Sequence, residues 1–491
     1  MSSTFTGYSI AVSGMQVNQS ALTVNSHNLA NVNTTGYSRQ RVTSVENTTG
    51  QTGGVSWGSG TSVAEINRAR NQFLDQTYRR QNTSLSYWNS KSTTLTDIQL
   101  SLSEFAADDG TTDNGLQQTI QTFLDSWDQL ASDPSSQGAR SSVREAADTL
   151  VGTVTQIARQ LTQLQEDCVV NVQDAVDELN DLSKQVADLN TQIMQTEAAG
   201  SDANDLRDQR DQLFDQISTL SDCTVSEQAD GMTNISINGV SLVQGNHSYI
   251  LKADGNGTTD SPLTIRTAAF NSTVKITSGS IKAYLEDTDQ NGVEDIDTTE
   301  IPYNITANSA SSIGNLRNGL NDLVTTIALK VNEIQSSGVG LDGSTGIDFF
   351  TALDTNKPLS LTNIQVNPAL VDLDAIAAGT SGASGDNSIA SEIAELNGAE
   401  NFSFDGLTMD MDTFYQSLIS WLGTAGEEAS GNYDTQAMLL EQLDTQRQSV
   451  FAVSMDEEMS NVIMYQNAYN ASARVLSLMD GLLEEVIAGL G

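Results

Sequence analysis

Residues 10–31, IAVSGMQVNQSALTVNSHNLAN, and residues 455–483, MDEEMSNVIMYQNAYNASARVLSLMDGLL, carry the same seven-residue rhythm at opposite ends of a 491-residue chain. From Ile10 the positions Gly14, Val17, Ala21, Val24, Asn28 and Asn31 advance by 4 and 3. From Met455 so do Met459, Val462, Gln466, Tyr469, Ala473, Leu476, Asp480 and Leu483. That spacing is the seam of a two-helix coiled coil. The two ends also complement each other in charge: residues 1–80 hold six Arg against three acids, and residues 447–491 hold two Arg against six acids. With +3 and −4 at the ends, the other 366 residues carry −40 of the net −41.

Composition excludes several classes of function. Asp and Glu outnumber Lys and Arg by 63 to 22, which argues against nucleic acid and against anionic membrane as partners, and suits salty or alkaline medium. Two cysteines make no disulfide framework. No run of about 18 apolar residues spans a membrane. Met1 to Ile10 lacks the basic and apolar regions of a signal peptide, so the expected route of secretion reads no cleaved signal.

Between the ends, five prolines leave long stretches free for helix. Leu150, Val154, Ile157, Leu161, Leu164, Cys168, Val172, Ala175, Leu179, Leu182, Val186, Leu189 and Ile193 predict a helix over about 140–196, with a stutter at 164–172. Asn204 to Leu220 is read as a second helix folding back after Ala199-Gly200-Ser201-Asp202. The period then changes: Thr233 to Val240, Leu263 to Arg266 and Val274 to Thr277 alternate polar with apolar, as strands do. Helix returns at about 312–335, 410–423 and 434–450, and Ser454 with Glu457 reads as a capping box for the last helix. The expected fold is mainly α: a coiled-coil-like bundle built from both chain ends, with a small inserted antiparallel β domain. The expected parts are 1–70 with 450–491 as a terminal assembly domain, 71–222 with 304–449 as a helical rod, and 223–303 as the β insertion.

Site chemistry is sparse. His27 and His247 are the only histidines, no Cys-x-x-Cys occurs, and no nucleophile elbow or phosphate loop is present, so no enzyme is expected. Cys168 reads as a core thiol, His27 as a polar contact at a subunit interface, and Arg207 and Arg210 as charge pairs on an exposed helix face. One run is ligand-like: Asp287, Asp289 and Asn291 before Gly292 match the first positions of a calcium loop, with the Val293 carbonyl next. Position 12 is Thr298, so Asp297 or Glu300 would have to substitute. The plainer reading is an acidic solvated turn, with weak calcium binding the one cofactor the sequence offers.

Ser13-Gly14-Met15, Asn28 to Gln40 with its Ser38-Arg39-Gln40 ending, Asp205-Leu206-Arg207-Asp208-Gln209-Arg210-Asp211, Leu341-Asp342-Gly343 and Asp456-Glu457-Glu458-Met459 occur in one order. This sequence resembles the hook-associated protein 1 family of flagellar axial proteins over nearly its whole length, apart from about 223–303. The resemblance implies a structural, extracellular protein at the junction of hook and filament, exported unfolded by the flagellar type III apparatus. Its implied partners are copies of itself in a ring layer, the hook protein, the second junction protein, and a cytoplasmic export chaperone on the C-terminal helix. The seam residues Val17, Ala21, Val24, Asn28, Asn31, Met459, Val462, Gln466, Tyr469, Ala473, Leu476 and Leu483 are the candidate assembly interface. Another axial protein, or a surface-displayed adhesin, is the rival reading.

Overall fold

The computed structural model describes residues 2–48, 58–102, 115–258, 261–288, 304–305, 311–404 and 407–490. Ten α-helices carry these residues: α1 (Ser2–Ala30), α2 (Gln72–Leu102), α3 (Leu116–Ser132), α4 (Gln137–Ala198), α5 (Asn204–Leu220), α6 (Ser280–Asp287), α7 (Ser312–Ser337), α8 (Ser388–Ala394), α9 (Met411–Phe451) and α10 (Met455–Leu490). On α4, all the apolar positions named above are buried except Leu164 and Leu189, which are half-buried. Near both, a polar residue takes the inward place: Gln165 and Asn190 are fully buried. The helix keeps its length because each of these amides finds partners, as described below for Asn190.

The chain forms two compact units, one of residues Met1–Ser84, Glu178–Ile250 and Gln436–Gly491, the other of Leu85–Asp177 and Leu251–Thr435. The sequence reading divides the chain differently, into 1–70 with 450–491, 71–222 with 304–449, and 223–303. The β stretch is not one inserted domain. Strands β3 (Thr224–Glu227), β4 (Thr233–Ile237), β5 (Val240–Gln244) and β6 (His247–Ser248) form an antiparallel sheet in the first unit, whereas β7 (Leu251–Asp254) and β8 (Thr264–Thr267) pair in the second. Val274 to Thr277 alternates but is no strand; Val274 makes one ladder bond to Ile265 and buries its side chain with Ile276.

Within the first unit Asn190 of α4 anchors the sheet. Its amide donates to the Thr233 and Gly245 carbonyls at 2.8 and 2.7 Å, and its oxygen accepts from the Thr233 N–H at 3.1 Å. A further hairpin was not expected: β1 (Gln40–Thr48) pairs antiparallel with β2 (Gly58–Arg68) in the segment read as helical assembly domain. In the second unit α7 is buried on nearly all sides, and Phe123, Trp127, Phe349 and Phe350 form one aromatic cluster in the same core, Phe123–Trp127 and Phe349–Phe350 edge to face, the latter at 5.0 Å. The helices expected at 410–423 and 434–450 are one helix, α9. Gly423, Gly426 and Gly431 do not break it, because Leu418, Leu422 and Ala429 are buried on one face, and Gly426 leaves room for the Gln99 amide to approach the Leu422 carbonyl at 3.4 Å.

Candidate assembly surface and the polar hub behind it

The two terminal helices lie antiparallel in one fixed register. A Cβ on Gly7 would meet the Met479 side chain at 2.8 Å, one on Gly14 would meet the Ser472 hydroxyl at 3.4 Å, and Asn28 donates to Glu458 at 3.1 Å. Steps of seven on α1 thus match steps of seven on α10, and Gly7 leaves room for the end of the Met479 side chain. Ala21, Val24 and Asn28 are buried along this seam and Val17 is half-buried. Asn31 lies past the end of α1 in a turn, where its amide donates to the His27 carbonyl at 3.0 Å. On α10 the less exposed stripe is Glu458, Val462, Tyr465, Tyr469, Ser472, Leu476, Met479 and Leu483, with Ala473 beside it. Met459, Gln466 and Asp480 are exposed. The packed face is therefore turned one residue from the expected seam for half of its length.

The outward face keeps large apolar side chains in water. Met455, Met459, Ile463, Met464, Val475, Leu478 and Leu482 are all exposed, Leu478 by 69% and Ile463 by 58%. These form two apolar groups, 455–464 and 475–482, with Gln466, Asn467, Asn470 and Arg474 exposed between them, and exposed apolar clusters mark an interaction surface. Among the described residues no helix is long and apolar enough to cross a membrane, and no group of three His, Cys, Asp or Glu side chains is placed to hold a metal.

Behind the helix pair, the motif segments converge on one hub. Gly36, at φ +78°, turns the chain where a side chain would strike Gln212. Tyr37 then donates to Asn28 at 2.8 Å and stands 3.1 Å from His27, whose other nitrogen is 3.6 Å from Asp205. Ser38 gives both its N–H and its hydroxyl to Asp208, at 2.8 and 2.6 Å. Arg39 reaches the other way, 2.7 Å from Glu457 and 2.6 Å from Glu458, while its N–H donates to the Phe451 carbonyl at 2.9 Å. Gln40 donates to Asn28 through its backbone and to Asp205 through its side chain. Serine, arginine and glutamine thus join the end of α1 to α5 and to the first turn of α10.

Of the arginines expected on an exposed face of α5, Arg210 is inside and Arg207 half-buried. Arg210 is 2% exposed and bonds Asn190 and the Gly231 carbonyl; burial lowers its pKa to about 10. Arg207 pairs with Glu197 at 2.7 Å and with Glu227. Asp208 is 3% exposed and pairs with Arg68 at 2.7 Å. Beside them runs a closed ring of alternating charge: Arg70–Asp75 at 3.2 Å, Asp75–Arg447 at 3.4 Å, Arg447–Asp215 at 2.9 Å, Asp215–Arg79 at 2.9 Å, Arg79–Asp211 at 3.1 Å and Asp211–Arg70 at 3.5 Å. Burial alone would raise the Asp211 carboxyl, but Arg70, Arg68 and Arg79 outweigh it and hold its pKa at about 2. A cleft of about 1250 Å³ opens beside this network, walled by Arg68, Arg207, Asp211 and Glu227; its charges are already paired.

The calcium reading loses its first ligand. Asp287 is fully buried at the end of α6, 2.9 Å from Lys91, and its carboxylate accepts from the Ser312 and Ile313 N–H groups at 2.5 and 3.4 Å. It caps α7, a role that spacing in the sequence could not reveal. Asp289, Asn291, Val293, Asp297 and Glu300 lie outside the described residues. Asp287→Ala should therefore lower the denaturation midpoint of the protein equally with and without millimolar calcium, by the ~3–5 kcal/mol that follows removal of one partner from a buried pair. A loss confined to calcium-containing buffer would restore the loop reading. Cys168 and Cys223 are both free thiols; burial pushes Cys168 up to about 12, as suits a core residue.

Comparison with known proteins places these features. Residues 9–37 match the flagella basal body rod protein family, residues 108–350 the flagellar hook-associated protein FlgK helical domain, and residues 432–489 the flagellar basal body rod FlgEFG protein C-terminal family. The first and last of these fall on the helix pair. The chain is 31% identical over 528 residues to flagellar hook-associated protein 1 of Bacillus subtilis, covering 100% of this chain and 99% of that one. It is 25% identical over 561 residues to the Escherichia coli protein of the same name, covering 97% and 98%. Its fold is similar to that of the flagellar hook junction protein FlgK from Burkholderia pseudomallei, with a TM-score of 0.61 and 15% identity over 76% of this chain and 100% of that one. The chain belongs to the flagellar hook-associated protein 1 family.

Proposed function

We infer that this protein is a structural, non-enzymatic component of the bacterial flagellum, set as a layer of identical subunits between the hook and the filament. The observation that carries the reading is the terminal helix pair: packed in register on its inner face, with exposed apolar clusters at 455–464 and 475–482 on its outer one. Neighbouring subunits, with the hook protein below and the second junction protein above, would cover that face. Export through the flagellar type III route, with a cytoplasmic chaperone shielding α10 until then, fits the same exposed side chains. The weakly filled seam fits it too: two helices joined through glycine, alanine and serine gain little burial to offset chain entropy of ~1–2 kcal/mol per residue. Amide exchange along α1 and α10 should accordingly be faster in the monomer than in the assembled junction.

The test is Leu478→Asp. Leu478 is exposed, so its replacement should leave the monomer's denaturation midpoint within about 0.5 kcal/mol of the parent. Burying the new carboxylate between subunits would cost several kcal/mol. Cells should export the variant but shed filaments from intact hooks. Normal filament number and length would overturn the assignment of this face. Leu476→Asp, on the half-buried face, should in addition loosen α1 from α10.

A further inference from the structure

We propose that Glu458, buried between Asn28 and Arg39, is the register pin of the terminal helix pair, and that Arg39 positions α10 through it. The proposal deepens the junction reading and rests on it only for its consequence, the placing of the apolar face for assembly.

The seam itself discriminates poorly between registers. Gly7 faces Met479, Gly14 faces Ser472 and Asn28 faces Glu458. A slide of one heptad would set Gly14 against Met479, Ala21 against Ser472 and Asn28 against Tyr465. Small residues would again meet the same large or small partners, so packing changes little. The polar end differs. Glu458 has a side chain 1% exposed, with one carboxylate oxygen 2.6 Å from the Arg39 Nε and the other 3.1 Å from the Asn28 Nδ2. Asn28 is itself fully buried, and its remaining bonds go to Gln40 and Tyr37. In a slid register the Glu458 carboxylate would lose both partners. A single buried polar contact of this sort is the best-attested way for a helix pair to select one register. Arg39 also fixes the pivot, since its N–H donates to the Phe451 carbonyl at the link between α9 and α10 and its guanidinium holds Glu457 at 2.7 Å.

Disulfide trapping in the full-length monomer reads the register directly. Gly14→Cys with Ser472→Cys reports the observed pairing, and Gly14→Cys with Met479→Cys reports the slide; peptide mass identifies each bond, so the native thiols stay in place. In the parent the first pair should dominate. With Glu458→Leu or Arg39→Ala the ratio of the first to the second should fall by about tenfold or more, because the observed register no longer holds the buried ion pair. Arg39→Lys, which keeps a cation beside Glu458, should recover part of the ratio. An unchanged ratio in both Glu458→Leu and Arg39→Ala overturns the pin. Should Arg39→Ala unfold the first unit, Glu458→Leu, which keeps the buried volume, decides alone. Because trapping is done on the monomer, a failure of the junction reading in cells leaves this result standing, and the reverse holds too.

Discussion

Replacing Arg447 by methionine is expected to lower the stability of the first unit by about 3 kcal/mol, measured as a shift of denaturant midpoint and as faster amide exchange in α5. Arg447 closes the ring of ion pairs between Asp75 and Asp215 and stacks on Tyr78, its guanidinium carbon 4.0 Å from the ring centre. Its side chain is 9% exposed and that of Asp75 is 8%. Methionine keeps the apolar stem against Tyr78 and Phe451 but leaves buried Asp75 and half-buried Asp215 one cation short. The cost should sit at the low end of the ~3–5 kcal/mol known for broken buried pairs, because Arg70 still holds Asp75 and Arg79 still holds Asp215. Adding Asp215→Asn should recover part of the loss by removing the excess charge. If Arg447→Met shifts the midpoint no more than Arg474→Met, an exposed arginine on α10, the ring is not the cooperative staple of α2, α5 and α9 that its geometry implies.

The ring also bears on the chain's acidity. Arg68, Arg70, Arg79, Arg207, Arg210 and Arg447, all with side chains less than 20% exposed, neutralise carboxylates inside the first unit. With so many cations held inside, the surface is more acidic than the overall balance of 63 to 22 conveys.

The parts of the fold that were legible in the sequence are those where burial follows a strict period. The α4 stripe, the α5 return, α7 and the two terminal helices have apolar residues at helical spacing, and that spacing exists because one face of each is covered. The hairpin of β1 and β2 was not legible: its strands lie largely half-exposed or exposed, so no alternation is imposed on Ser, Thr and Glu. The α10 seam was read one residue out of phase at Met459 and Gln466, because the outward face carries large apolar side chains of its own. At α5, aspartates and arginines three and four apart look the same whether they pair with each other in water or with distant partners in a core. Spacing reports the face of a helix but not what lies against it. The same limit hid the hub, whose members come from residues 28–40, 205–208 and 451–458.

Asp322 should make the second unit lose stability as pH rises, and Asp322→Asn should abolish that loss. The residue lies on α7, 5% exposed, with a carboxylate oxygen that has no hydrogen-bond partner, and burial raises its pKa to about 7. In the unfolded chain the same carboxyl titrates near ~3.9. Below that pH it is neutral in both states and costs nothing. Between about pH 4 and 7 the unfolded chain releases the proton while the fold retains it, so stability falls with rising pH. Above about 7 the folded state carries the charge as well, and the penalty levels off at no more than about 4 kcal/mol. Asparagine keeps the shape and cannot ionise, so the variant should be the more stable protein at pH 8 and lose that advantage at pH 4. Paired denaturation curves at those two pH values measure it. A difference between variant and parent that is the same at both would mean that the fold leaves the Asp322 pKa where the unfolded chain has it, and that burial does not govern its proton.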